Sequence, residues 1–275
     1  MGLFYPATPK RGTIPFSKGR QIITEILALG EQKHIINGLV EVDVTKARQY
    51  IRDYEAATGT DISFTAFIVT CLGKAVDMNK HVQAYRRRGN HLVLFDDVDV
   101  NTTIEFEKDG EKFPLLHVIR AVNKKGYQDI NLDIQKAQAE GTRRQGDPTK
   151  APKFLMTLPS FIRRLMFRWA SRNPHLTKAN RGTVMLTAVG MFGNGGGWGI
   201  PFIQHTLAVT LGGISEKPVV LEGQIEIREM LNVTVSFDHD IVDGAPAARF
   251  TSQFKSLIES GYGLVEQEVA IEEVS

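Results

Sequence analysis

Segments in which apolar residues alternate with polar ones are spread along most of the chain, and this pattern is typical of strands with one buried face. The clearest such segment covers residues 231–237. Similar alternation, or a short apolar run next to turn residues, predicts further strands at residues 34–43, 82–86, 91–96, 98–107, 114–122, 182–189 and 205–213.

Apolar residues at helical spacing predict helices between the strands. These segments end at Gly30, cover residues 46–57, 64–78 and 130–140, and begin near Pro246. The segment 64–78 is apolar on nearly all sides, which is typical of a helix buried in a core. Because strands and helices mix without a repeat of fixed period, the pattern predicts an α/β or α+β fold with a large mixed sheet flanked by helices.

Composition narrows the function classes without naming one. The chain has 275 residues, of which 42% are hydrophobic and 23% charged, and its net charge is +2. This balance does not suggest a dedicated nucleic-acid binder. The single cysteine, Cys71, excludes an internal disulfide and favours a reducing compartment. With no apolar run near membrane-span length and no signal peptide, a cytoplasmic protein is expected.

A candidate catalytic group follows the clearest strand. His239 comes directly after that strand, and Asp243 and Gly244 precede the last predicted helix. A histidine gains and loses a proton near neutral pH, so it can deprotonate a thiol or a hydroxyl. Gly244 permits backbone angles that other residues avoid. The residues alone leave two interpretations open, a general base in a cleft or a buried histidine that closes a strand.

The longer motif SFDHDIVDGAPAARF, residues 236–250, resembles the His-x-x-x-Asp-Gly signature of the dihydrolipoamide acyltransferases of 2-oxoacid dehydrogenase complexes. That family shares a fold with chloramphenicol acetyltransferase. The resemblance implies a CoA-dependent acyltransferase fold, with His239 as the general base and Asp243 in a structural ion pair. It also implies that an early arginine pairs with this aspartate, and Arg20 is the matching position.

Residues 182–193, GTVMLTAV followed by Gly-Met-Phe-Gly, resemble the second signature of the family. Thr187 matches a serine whose hydroxyl, by the resemblance, donates to the oxyanion of the tetrahedral intermediate; the alternative is a threonine that only fills the strand. The following glycine-rich stretch lacks nucleotide-loop spacing, so Trp198 lies either on the rim of a substrate channel or in a plain loop. His205 is a second channel candidate, with a satisfied core histidine as the alternative.

Residues 141–180 depart from the family as an atypical basic insertion. Within them, residues 159–172 predict a helix with apolar side chains on one face. Much of the rest of this helix is occupied by Arg163, Arg164, Arg168 and Arg172. Such a helix fits four roles: packing on its own domain with a solvated arginine face, lying on an anionic membrane, binding an acidic partner, or reaching a CoA phosphate.

The resemblance covers nearly all of the chain, so residues 1–275 are expected to form one acyltransferase catalytic domain without lipoyl or peripheral subunit-binding domains. It implies CoA as cosubstrate and a homotrimer, or an assembly of trimers, with active sites between subunits. A lipoyl group takes part only if another protein supplies it, as from a lipoyl-domain partner. No metal is expected, because the seven histidines lack ligand spacing.

The main hypothesis is transfer of an acyl group between CoA and a thiol acceptor such as dihydrolipoamide. Asp240 stands where members bound in complexes usually carry arginine, which is a further departure. One alternative is an acyltransferase for small amines or alcohols. The other is a catalytically silent trimeric scaffold that binds a membrane or a partner through residues 159–172.

Overall fold

The computed structural model describes residues 16, 18–59, 62–87, 90–108, 111–143, 157–189 and 195–264 of the chain. The strands are β1 (Ile35–Asp43), β2 (Tyr85–Arg87), β3 (His91–Val93), β4 (Val100–Lys108), β5 (Glu111–Ile119), β6 (Val184–Ala188), β7 (Leu207–Leu221) and β8 (Gln224–Asp238). The α-helices are α1 (Lys18–Leu27), α2 (Thr45–Thr58), α3 (Phe64–Met78), α4 (Tyr127–Arg143), α5 (Ser160–Ser171), α6 (Pro174–Arg181) and α7 (Gly244–Glu259).

Six strands form one sheet in the order β1-β8-β7-β6-β4-β5. The pairs β4–β6 and β6–β7 are parallel and the other pairs are antiparallel. The predicted fold class, α/β with a large mixed sheet flanked by helices, is therefore confirmed. Strands β2 and β3 form a separate two-stranded sheet.

The hydrophobic core lies between one face of the large sheet and the helices α3, α4 and α7. Helix α3 begins at Ser63, whose hydroxyl accepts a hydrogen bond from the Ala66 amide, and ten of its residues are buried. The all-round apolar pattern therefore predicted both the helix and its burial correctly. Cys71 is fully buried on this helix, and burial raises the pKa of its thiol.

The opposite face of the sheet is buried as well, although its side chains are polar. Thr187, Thr210 and Thr234 lie opposite one another on β6, β7 and β8, so they share this face. Thr210 and Thr234 are almost completely buried, and their hydroxyls make no hydrogen bond among the described residues. The sheet thus has a hydrophobic face that packs against the helices and a polar face that carries Thr187, Thr210 and Thr234.

Three predicted strands, at residues 82–86, 91–96 and 114–122, are wrong in part. Residues 80–83 form a 3-10 helix instead of the start of a strand, because the fully buried Gln83 side chain donates to the Phe95 carbonyl. This bond also uses a carbonyl that the predicted strand 91–96 would have given to a neighbour, and β3 ends at Val93. Strand β5 lies earlier than predicted, and it includes Pro114 because β5 is an edge strand.

The basic insertion contains one predicted helix and one that was missed. The predicted helix 159–172 is α5, and α6 follows it after a single turn. Helix α6 has its own start signal, since Pro174 is its first residue and the Asn173 side chain accepts from the amides of His175 and Leu176. The part of the insertion at residues 144–156 lies outside the described residues.

The arginine face expected for α5 is exposed at Arg164, Arg168 and Arg172 but not at Arg163. Arg163, assigned to a solvated arginine face, is 7% exposed, and its Nε and Nη2 atoms donate to the two carboxylate oxygens of Glu25 at 2.9 and 2.7 Å. Phe161, Leu165 and Trp169 are instead 68–70% exposed. The helix docks on α1 through a bidentate ion pair, and its apolar row faces outward.

None of the described helices is long and apolar enough to cross a membrane.

Candidate active site

The turn between β8 and α7 carries the predicted general base. Strand β8 ends at Asp238, and α7 begins at Gly244. The backbone amide of His239 donates to the His34 carbonyl at 2.7 Å, which ties the turn to the start of β1. The His239 side chain is 43% exposed. The backbone is therefore held while the imidazole remains accessible, so the alternative of a buried histidine does not apply.

Asp238 fixes this turn through hydrogen bonds, although no motif of the sequence pointed to it. Its side chain is 3% exposed, and its carboxylate accepts hydrogen bonds from Lys33 Nζ and, at 3.2 Å, from the Asp240 amide. Its carbonyl accepts from the amides of Ile241 and Val242 at 3.0 Å. The available signal was position, since an acidic residue on the polar face at the end of a buried strand needs a partner.

Asp243 lies beside His239 but makes no hydrogen bond to its side chain. The distance from His239 Nδ1 to Asp243 Oδ1 is 3.8 Å, and the Asp243 side chain is 85% exposed. The backbone of Asp243 is extended, and this residue forms the N-cap position of α7 without a side-chain cap. In a single chain the pair is thus a loose, solvated contact.

Gly244 does not use the backbone freedom that was expected of it. It is absent from the described glycines with positive φ, and it opens α7 as an ordinary helical residue. A side chain here would meet no atom within 4 Å. Gly244 instead lines a groove of about 450 Å³ between β1 and α7, along with Asn37, Phe237 and Ala248.

Arg20 lies on α1, and its predicted pairing with Asp243 stays a prediction. The ion pair in which Asp243 takes part within the described residues joins it to His239. Another residue of α1, Glu25, forms an ion pair with Arg163 of the insertion.

Thr187 lies far from His239 within one chain. It is opposite Thr210, which is opposite Thr234, and His239 follows Thr234 by five residues on β8. With strands about 4.8 Å apart and a rise of about 3.3 Å per residue, the two side chains are roughly 20 Å apart. A general base and an oxyanion donor must both lie about 3 Å from the reacting group. Thr187 and His239 of the same chain are therefore too far apart to act on one reacting group.

The glycine-rich stretch covers the polar face near Thr187. Gly213 donates its amide to the Gly197 carbonyl at 3.1 Å, beside the irregularity of β7 between Leu211 and Ile214. Side chains at Gly212 or Gly213 would collide with the Gly197 and Gly195 carbonyls, which explains the two glycines of β7. Trp198 is 41% exposed, and Lys217 Nζ lies 5.6 Å from its ring centroid. The Gly190–Gly193 signature lies outside the described residues.

His205 is buried in the interior, where it is 4% exposed. Its Nε2 donates to the Arg181 carbonyl at 2.9 Å, and burial lowers its pKa to about 4. It is therefore neutral at physiological pH and holds the chain before β7. This burial argues for the core interpretation, and its assignment to a substrate channel stays a prediction.

A second histidine, His34, lies next to the turn between β8 and α7. His34 Nδ1 lies 2.8 Å from Asp240 Oδ1, and this hydrogen bond and charge raise the pKa of His34 above its ordinary value. Both side chains are exposed to solvent. In the described residues no three His, Cys, Asp or Glu side chains come together as a metal site.

Comparison with known proteins gives one family. Residues 150–265 match the model of the catalytic domain of the 2-oxoacid dehydrogenases acyltransferase family. The dihydrolipoyllysine-residue acetyltransferase component of the pyruvate dehydrogenase complex of Mycoplasma genitalium is 26% identical over 255 residues, which are 90% of this chain and 58% of that protein. The chain spans about half the length of such curated relatives.

Solved structures share the fold. The dihydrolipoamide acetyltransferase of Azotobacter vinelandii, studied for the catalytic roles of a serine, a histidine and an asparagine, has a TM-score of 0.68 at 16% identity, covering 94% of this chain and 99% of that chain. The cubic core of a pyruvate dehydrogenase multienzyme complex has a TM-score of 0.68 at 15% identity, with the same coverage of both chains. The family signatures and the fold thus agree.

Proposed function

Because residues 150–265 match the model of the catalytic domain of the 2-oxoacid dehydrogenases acyltransferase family, we propose that the chain is a CoA-dependent acyltransferase with residues 1–275 as one catalytic domain. It moves an acyl group between CoA and a thiol acceptor such as dihydrolipoamide, supplied by a lipoyl group on another protein. The observation that carries the proposal is His239, whose backbone amide is bound to the His34 carbonyl at the start of β1 while its imidazole stays accessible to solvent.

In the proposed reaction His239 acts as general base. It takes the proton of the acceptor thiol, and the thiolate attacks the thioester carbonyl carbon. The Thr187 hydroxyl donates a hydrogen bond to the oxyanion of the tetrahedral intermediate. When the intermediate collapses, the carbon–sulfur bond to CoA breaks and the CoA thiolate takes the proton from the imidazolium. No acyl-enzyme is formed.

The separation of Thr187 from His239 supports a site shared between subunits. We place His239 of one chain opposite Thr187 of the next in a homotrimer, or in an assembly of trimers such as a cubic core. The serine-to-histidine and histidine-to-asparagine spacings in the Azotobacter vinelandii protein equal those from Thr187 to His239 and from His239 to Asp243. This equality supports the assignment of Thr187, His239 and Asp243 as one functional set.

The first experiment measures CoA release from a panel of acyl-CoAs, with dihydrolipoamide and then simple amines and alcohols as acceptors. Acceptor-dependent release is expected for the intact protein and not for His239→Ala, at equal assembly mass. Release that persists in His239→Ala would remove this residue as the base. No release with any acceptor would favour the silent scaffold, and release only with amines or alcohols would favour the small-acceptor enzyme.

A mixing experiment tests the shared site. His239→Ala and Thr187→Val are each expected to be inactive or slow, with Thr187→Val losing about 3 kcal/mol of transition-state stabilisation. When the two variants are unfolded and refolded together, some interfaces combine an intact Thr187 with an intact His239, so activity is expected to return in part. Activity that stays at the sum of the two variants would place both residues in one chain's site.

We also propose that α5 makes a peripheral contact with an anionic membrane. The exposed row of Phe161, Leu165 and Trp169 beside Arg164 is the specific observation in its favour. Sedimentation with vesicles containing phosphatidylserine is expected for the intact protein and reduced for Trp169→Ala, with Trp198→Ala as a matched control. Loss of assembly in Trp169→Ala without vesicle binding by the intact protein would make this face a subunit interface.

A cytoplasmic location completes the proposal. It is supported by Cys71, a thiol enclosed in α3 with no second cysteine to pair with. Fractionation of the source cells with an antibody to the chain would test it.

A further inference from the structure

The insertion and the catalytic turn together enclose a small, strongly basic cavity. It has a volume of about 220 Å³. Five cationic side chains line it: Lys33, Arg86, Arg168, Arg172 and Arg181. Among the described residues, two carboxylates line it, Asp238 and Asp240 of the turn that holds His239. Cations thus outnumber carboxylates in a space that borders the candidate active site.

Both carboxylates are already paired. Asp238 accepts from Lys33, and Asp240 binds His34, which stands at the edge of the turn. Neither carboxylate is therefore available to neutralise the four arginines. The two carboxylates thus hold the turn and do not neutralise the arginines of the insertion.

The four arginines have no acidic partner among the described residues. Arg86 donates to the neutral Asn90 side chain at 2.9 Å, and Arg181 donates to the neutral Gln204 side chain. Arg168 and Arg172 make no side-chain ion pair in the described part of the chain. Their neighbour Arg163 shows the contrast, because it has its own carboxylate in Glu25.

The burial of Arg181 is a second observation that favours a bound anion in this cavity. Its guanidinium is half-buried, and burial lowers its pKa from the ordinary value although Tyr85 acts in the opposite direction. Ser171 and Thr177 line the same cavity, but their hydroxyls donate to the carbonyls of Arg168 and Asn173, so the guanidinium groups are the donors that face the space. Guanidinium groups that converge on a small space form a donor set suited to an oxyanion with several acceptor oxygens.

We propose that this cavity binds a phosphate group beside the catalytic turn. The ligand carries a phosphate monoester or diphosphate, and the arginines of α5 and α6 hold it by bidentate hydrogen bonds. This inference deepens the proposed function, because a phosphate of CoA is one source of the group. The other source with the same chemistry is the headgroup of an anionic phospholipid, brought to the cavity by the exposed face of α5.

The test is a calorimetric titration of the full chain with inorganic pyrophosphate, CoA and dephospho-CoA. Binding of pyrophosphate and CoA is expected to weaken at least tenfold in Arg168→Gln/Arg172→Gln. The matched control is Arg164→Gln, which removes the same charge from α5 outside the cavity lining. Because Arg168 and Arg172 are exposed, both variants are expected to keep the fold, which circular dichroism would verify.

The outcomes separate the sources and the failures. A loss that is larger for CoA than for dephospho-CoA assigns the cavity to the 3′-phosphate of CoA. Equal loss for the two assigns it to the diphosphate that both share. Loss of binding to soluble short-chain phosphatidic acid, with no loss for either CoA or dephospho-CoA, assigns it to a lipid headgroup. No pyrophosphate binding by the intact protein, or equal weakening by Arg164→Gln, overturns the proposal. Neither result depends on turnover, so failure of the acyltransferase assay is read independently.

Discussion

Helices α3 and α5 have similar origins in the sequence and opposite surroundings in the structure. Both were predicted from apolar residues at helical spacing, and both form where predicted. In α3 the apolar residues are enclosed by the sheet and by α4 and α7. In α5 the apolar row faces outward, and an arginine is buried instead. Periodicity predicts a helix and its two sides, but it does not say which side meets the rest of the chain.

The largest expected contrast is in stability. Phe67 of α3 is fully buried, so Phe67→Ala should lower the free energy of unfolding by about 4 kcal/mol, through lost apolar burial and the cavity left behind. Trp169→Ala in α5 should change the free energy of a single chain by less than about 0.5 kcal/mol. Urea unfolding of both variants at low protein concentration measures the difference. A large loss in Trp169→Ala would mean that α5 is covered within its own chain.

The buried ion pair of α5 gives the second contrast. Arg163→Met leaves the Glu25 carboxylate buried without its partner, and this should lower the free energy of unfolding. Arg164→Met, one residue along and exposed, should leave it nearly unchanged. The double variant Glu25→Met/Arg163→Met should recover much of the loss, since no uncompensated charge remains. Thermal unfolding of the three variants measures this order, and similar midpoints throughout would show that the pair does not fasten α5 to α1.

The sequence predicted what depends on local pattern. The mixed sheet, α3 and the position of His239 at the end of β8 all follow from periodicity and from one motif. The orientation of Arg163 could not be predicted, because Glu25 lies far from it in the sequence and nothing local pairs them. Asp238 was missed for the same reason, since Lys33 reaches it from the other end of the chain. The distance between Thr187 and His239 required the strand register.

The smallest expected effect concerns the exposed side of the catalytic turn. The hydrogen bond to Asp240 raises the pKa of His34 above 6.5, so the pair is strongest when His34 is protonated and weakens as the pH rises through the raised pKa. Asp240→Asn should bring the His34 pKa back toward 6.5, whereas Asp243→Asn should leave it unchanged. An NMR titration of the His34 ring measures this. Because both side chains are solvated, no measurable change in stability should accompany it, unlike the buried pair of α5. If Asp243→Asn shifted the His34 pKa as much as Asp240→Asn, the hydrogen bond to Asp240 would not be the main cause of the raised pKa.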